Sequence, residues 1–320
     1  MRNNLKVLAA GSLVVLSMGL AGCQNAGAPA APQKAPDAML QEGLTKLSKV
    51  TSYSYNVNLN GDLKGPQGEK PELVKFNMGL NGNVEAKDPQ DPKLNLTIKG
   101  DMTADADGGS GEFSMRMNKS ALYMNLMKLE GKGAVAIPEE MKAQFLGKWW
   151  TMPIPPEALS ELSNSMAGSD ESKMTDQQKK MKKLVEETKF FKNVEYKGME
   201  AVNGEQSYHY TGMLDEAAVS TFIAKASEMQ GQTVSESEKD DMMKAFEQMD
   251  FTGDFYVGKD SGALNKGKVT VTLTANADKS SPTGTVTVDF SLSDMNKAVT
   301  VEVPADAQPI PAEAIGGMLN

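Results

Sequence analysis

Cysteine is almost absent from this chain: Cys23 is the only one in 320 residues. A single thiol closes no internal disulfide, so the folded part must hold through its core, which a chain of this length can build. Histidine is equally scarce. His209 stands alone between Tyr208 and Tyr210 on a strand-like stretch, where a sheet residue without a catalytic role is the expected reading, because a hydrolase needs a nucleophile and a base together. Glycine-flanked serine elbows, Walker loops, paired Cys-x-x-Cys motifs and His-Glu-x-x-His helices are all missing, so no catalytic residue, cofactor or metal is expected. Asp105-Ala106-Asp107-Gly108 fails as a calcium loop, since Thr103 and Ser114 occupy the positions that need Asp and Glu. Long apolar runs are lacking except for Val7 to Leu20, which is too short for a convincing membrane span.

That run lies behind Arg2 and Lys6 and ends in Leu20-Ala21-Gly22-Cys23. A basic start, an apolar stretch and a small-residue cleavage site make a secretory signal over residues 1–22. With the thiol directly behind, the segment resembles the lipobox of bacterial lipoproteins. That resemblance implies cleavage before Cys23, a diacylglycerol thioether on its sulfur and an acylated amino terminus. Several acyl chains hold a protein on a bilayer, at about 0.8 kcal/mol per buried methylene. The expected location is the extracytoplasmic face of the cell membrane, or the periplasmic face of the envelope in a host with two membranes.

Removing Arg2 and Lys6 leaves 31 basic against 42 acidic side chains, a balance of −11. Such a surface repels nucleic acid and anionic headgroups at long range, so no nucleic-acid partner is expected. Any bound lipid must be held by its apolar part or by a locally different patch. Arg116 is the only arginine left after cleavage, which disfavours sites built on bidentate recognition of phosphate. Residues 23–36, rich in Ala, Pro and Gly, read as a tether, residues 37–304 as the folded domain, and residues 305–320 as a proline-containing tail.

Within the domain, Leu40, Leu44 and Leu47 recur at helical spacing. Period-two runs follow: Tyr53 to Leu59, Val74 to Leu80, Leu94 to Met102, Phe113 to Met117 and Leu122 to Leu126. Turn-forming clusters separate them, including Asp107-Gly108-Gly109. After Trp149 and Trp150 the prolines end the strand, a helix is expected over Pro156 to Ser165, and a basic helix follows through Lys179, Lys180, Lys182 and Lys183. A hairpin turns at Asn203-Gly204, Asp215 caps a helix, and a further helix covers about Glu236 to Met249. Strands return around Phe255, Val271 and Val288 and at Val299 to Val303. About ten strands with one apolar face must curve or be covered. The expected class is α+β: a strongly curved antiparallel sheet, a partial, half-open β-barrel, with helices covering its concave face.

The order of elements resembles the LolA/LolB lipoprotein-localisation factors and the LppX/LprG-type lipoproteins. Five segments carry it: the lipobox; the helix running into Ser52 to Val57; Ala121 to Met124 followed by Lys148-Trp149-Trp150; Gly253 to Asp260; and Phe290 to Asn296 followed by Val299 to Pro304. The resemblance implies an apolar cavity for acyl chains of a lipid or lipoprotein. The inward positions that would line it are Val57, Leu59, Phe76, Met78, Leu96, Ile98, Met115, Met117 and Met124, opposite water-facing Asn56, Asn58 and Thr97. Twenty methionines in the mature chain suit such a wall, since a flexible thioether adapts to varied apolar guests; ordinary core packing and Cu(I) binding through Met115-x-Met117 or Met124-x-x-Met127 are the alternatives. In function, the competing readings are a structural or protein-interaction lipoprotein with a filled core, and an esterase.

Overall fold

The computed structural model describes residues 34–65, 73–88, 91–104, 107–132, 139–155, 176–229, 231, 234–274 and 282–310. Cys23, the signal, the tether as far as residue 33, the helix expected at Pro156 to Ser165, the Asp105-Ala106 pair and the end of the tail lie outside them, and the last expected tether residue, Pro36, opens the first helix. The described residues form an α+β structure of five helices and twelve strands, antiparallel but for one short pairing. The chain divides into two compact units, one of residues 1–49, 61–71 and 171–293 and one of residues 50–60, 72–170 and 294–320.

In the first unit, α1 (Pro36–Leu47) starts with proline in its first turn, Asp37 beside it and Lys46 at the far end, the arrangement that suits the helix dipole. It buries Leu40 and Leu44. Gly43 allows the close approach: a Cβ there would lie 3.1 Å from Val257 and 3.3 Å from the Leu264 nitrogen. Gln41 donates to the Val185 and Glu186 carbonyls near the end of the basic helix. The unit's sheet runs in the order β11 (Thr283–Ser293), β10 (Leu264–Leu273), β9 (Met249–Gly258), β8 (Glu205–Leu214), β7 (Phe191–Val202). One of its faces carries Tyr210, Phe255 and Val257, essentially without exposed surface. Asn203 and Gly204 both take positive φ, 51° and 86°, as the two-residue β7–β8 turn requires. Asp215 accepts the Ala218 N–H at 2.9 Å, and Ser235 with Glu238 closes a capping box on the following acidic helix (Glu236–Phe246).

The second unit holds strands in the order β12 (Gln308–Pro309), β6 (Trp149–Pro153), β5 (Ala121–Lys132), β4 (Asp107–Met117), β3 (Lys93–Ala104), β2 (Leu73–Glu85) and residues 52–60 of β1 (Ser52–Lys64). Two local expectations change here. Asp107-Gly108-Gly109 belongs to β4 rather than to the turn, because Gly108 and Gly109 pair with Thr103 and Met102. A Cβ at Gly108 would lie 2.9 Å from the Met102 carbonyl oxygen, so the residue is glycine for close backbone approach.

Val299 to Val303 is likewise no strand. It is an extended strap whose backbone is satisfied by side chains of the sheet's polar face. The Asn296 N–H donates to the Ser52 carbonyl at 2.7 Å, and Val299 N–H to Glu85 at 2.8 Å. Asn95 donates to the Thr300 carbonyl at 2.9 Å and Arg116 to the Glu302 carbonyl at 2.8 Å. The strap continues past Pro304, the expected start of the tail, until Gln308 and Pro309 run parallel to β6. The last internal arginine thus serves as a belt anchor, its guanidinium 4.8 Å from the centroid of Trp149.

Candidate functional site

Antiparallel pairing turns the period-two alternation of the second unit into rows. Leu80, Ile98, Phe113 and Leu126 form one. Gly82, Leu96, Met115, Met124 and Trp150 form the next, and Val84, Leu94, Met117, Leu122 and Met152 a third. Successive residues point to opposite faces, so all of these share one side of the sheet. Tyr55 lies at the same side near Gly82, where a Cβ would fall 2.9 Å from the Tyr55 hydroxyl and 1.9 Å from the Asn95 carbonyl oxygen.

Toward the β3–β4 turn the rows lose bulk. Met78 is followed across the sheet by Gly100, Gly111 and Leu129, and Phe76 by Met102, Gly109 and Gly131. Four glycines therefore floor a trough between Phe76 and Met78 on one side and Leu129 on the other. A Cβ at Gly111 would make only ordinary contacts, 3.7 Å to the Lys128 carbonyl oxygen and 3.8 Å to Leu129, so a side chain can be added there without a clash at its first atom. Leu129 reaches this face because β5 carries an extra residue where Glu112 pairs with Lys128 and Phe113 with Leu126. The bulge turns Met127 out to the polar side, within 3.1 Å of the Ser114 hydroxyl.

Val57, Leu59, Phe76, Met78, Leu96, Ile98, Met115 and Met124 are all half-buried, whereas Met117 has no exposed surface and is packed core. Met115 and Met117 share a face while Met124 and Met127 do not, so the second methionine pair is not assembled for soft-metal binding. Among the described residues of this unit, the one helix is α2 (Glu139–Phe145), which packs on β5. Phe145 meets Trp150 at 5.6 Å, and the Gly147 N–H donates to the Leu126 carbonyl at 2.8 Å. Trp149 and Trp150 lie on opposite sides of the sheet, as alternation requires.

The reverse side is largely polar, with Tyr123, Met127 and Trp149 among its bulky apolar members. Lys99 pairs with Glu112 at 2.8 Å and Lys93 with Glu85 at 2.7 Å, Thr97 and Ser114 share a hydrogen bond of 3.1 Å, and Asn58 donates to Asn56 at 3.0 Å with both residues exposed. Alternation alone puts Trp149 and Trp150 on opposite faces, but which of them joins the apolar rows becomes visible only once strand register is known, as does the glycine floor.

His209 belongs to the other unit. Its Nδ1 lies 3.1 Å from Glu200 and its Nε2 3.2 Å from Asp254, and the ring stacks on Tyr256 at 4.2 Å and 9°. Both ring nitrogens face carboxylates, so neither faces a hydroxyl nucleophile. Burial lowers the pKa of nearby Lys266, and Asp289 and Glu200 oppose the shift. No described helix is long and apolar enough to cross a membrane.

No family model matches the chain, and no curated protein matches it. Solved structures do. The Mycobacterium tuberculosis lipoprotein LppX aligns over 85% of this chain and 100% of its own at 14% identity and a TM-score of 0.35. LprF from Mycobacterium bovis aligns over 87% and 100% at 14% identity and a TM-score of 0.39. A putative outer membrane lipoprotein-sorting protein domain from Vibrio parahaemolyticus aligns over 83% and 94% at 8% identity and a TM-score of 0.16. LppX is one of the lipoprotein types that the five sequence segments resemble.

Proposed function

We propose that this protein is a membrane-anchored, extracytoplasmic, non-catalytic lipoprotein that binds acyl chains of a lipid or lipoprotein on the apolar face of its second unit. The observation that carries this reading is the asymmetry of that sheet: one side is largely polar and belted, the other apolar, partly accessible and floored by glycine at one end. Six residues along β4 at about 3.4 Å each, and five strand spacings of about 4.8 Å, give the face roughly 20 by 24 Å. An acyl chain spanning one leaflet is about 15 Å long, half of a hydrocarbon core of about 30 Å, and fits along either direction. Covered apolar surface is worth about 25 cal/mol per Å², which is enough to hold a chain of many methylenes without any charged partner. Leu96, Met115 and Met124 are only partly buried, which disfavours the filled-core interaction module, in which such residues would be sealed.

Cys23 is the membrane attachment in this reading. Cys23→Ala leaves a folded domain and moves the protein from the membrane to the soluble fraction in a high-salt wash that wild type resists, measured by fractionation together with a lipidation label. Wild-type protein that is soluble and unlipidated in its native host defeats the anchor. Acyl binding is tested separately, by saturable uptake of a fluorescent long-chain fatty acid by the delipidated wild type; absence of uptake defeats the carrier reading.

A further inference from the structure

A cavity in the first unit has the opposite chemistry to the apolar face. It holds about 300 Å³ between α1 and the β9–β10 turn, with Lys34, Lys46 and Lys259 in its wall beside Met39, Glu42 and Tyr208. The turn is firmly built. Glu205 accepts the backbone N–H groups of Asp260 and Ser261 at 2.8 and 2.7 Å and the Ser261 hydroxyl at 3.1 Å, which engages its carboxylate with the loop. Gly258 leaves room for that carboxylate, since a Cβ there would fall 2.5 Å from it. Gly262, at φ +61°, does the same for Lys46: a Cβ would lie 2.2 Å from the Lys46 Nζ, so the ammonium occupies the place of the missing side chain.

Glu42 is the one carboxylate in the wall. Lys34 hydrogen-bonds it and holds it below the usual carboxylate range, and Lys46 stands 3.4 Å away. Lys259 has no ion-pair partner among the described residues. Three ammoniums stand against Glu42 in the wall and Glu205 behind the turn, a local positive excess in a mature chain of 31 basic and 42 acidic side chains. Only ten residues separate Cys23 from Lys34, and the eleven steps reach at most about 40 Å. We propose that this cavity takes the phosphate of an anionic phospholipid headgroup, docking the α1 side of the domain on the bilayer that holds the anchor; the orientation rests on the anchor reading. Lysines suit this ligand, because compact ammoniums follow a mobile phosphate without needing the fixed fork of arginine.

The test uses the chain from residue 23 onward carrying Cys23→Ser, so that neither the acyl anchor nor the signal segment contributes, and the lysine variant separates the cavity from the apolar face. It is mixed with vesicles of phosphatidylcholine, with vesicles containing an equal share of phosphatidylglycerol, and with inorganic phosphate. Co-sedimentation with the phosphatidylglycerol vesicles is expected, weakening with salt and falling by roughly tenfold in the Lys46→Gln/Lys259→Gln variant. Glu42→Gln, which removes the competing carboxylate, strengthens it. Circular dichroism confirms that each variant is folded. No sedimentation, sedimentation unchanged in the lysine variant, or binding of inorganic phosphate without vesicle binding overturns the proposal. Lipidation of Cys23 is read independently from the mass of native protein, so failure of the anchor and failure of the cavity are told apart.

Discussion

Glu85 accepts the backbone N–H of Val299, 214 positions further along the chain, at 2.8 Å. Burial alone would raise its pKa, but the hydrogen bonds from Lys93 and Val299 outweigh that and hold the carboxyl below its ordinary 4.5. A depressed pKa in the folded state means stability that is present above about pH 4.5 and lost as the pH falls through the folded value. Glu85→Gln should therefore cost about 1–2 kcal/mol at neutral pH, in the range of charged hydrogen bonds. The gap to wild type should close once the medium is more acid than the folded carboxyl. Urea titrations at neutral and acid pH measure both; a gap that stays constant contradicts the role assigned to the carboxylate.

The glycine trough makes a prediction in which stability and binding separate. Gly111→Leu adds a side chain where a Cβ meets only ordinary contacts, and glycine inside a strand packs nothing. Thermal stability should hold or rise slightly, while uptake of a fluorescent fatty acid falls severalfold. Equal uptake by this variant would show that the trough is not used.

His209→Ala removes the group between Glu200 and Asp254 and leaves the half-buried Glu200 carboxylate without it. A loss of about 1–2 kcal/mol in stability is expected, with acyl uptake unchanged, because the ring lies in the other unit. Ester turnover by wild type that disappears in a folded His209→Ala variant would establish an enzyme.

Much of the fold is legible because it is local. The leucines of α1, the Asn203-Gly204 turn, the Asp215 cap and the strand alternation depend on neighbours within a few residues. Three features are not local. The extra residue at Met127 shows only against the pairing of β4. The glycines at 100, 109, 111 and 131 become a trough only when three strands are in register. Val299 to Val303 alternates like a strand, yet Glu85, Asn95 and Arg116 meet its backbone in place of a neighbouring strand. The candidate lipid-facing residues were readable as one face from period two alone; that Met117 is sealed while Met115 and Met124 stay accessible depends on long-range packing.

The central claim is that the apolar face is a lipid surface rather than core. Met124 sits in the middle of it, between Met115 and Trp150, and a carboxylate there is costly in a sealed core but tolerable where water can enter. Native mass spectrometry of protein purified from its own membranes is the direct measurement, comparing wild type with Met124→Glu and Asn56→Glu. The account predicts an acyl lipid bound to wild type and to Asn56→Glu beyond the anchor itself, and a folded Met124→Glu without it. Wild type free of lipid, together with a Met124→Glu variant that unfolds, would contradict it.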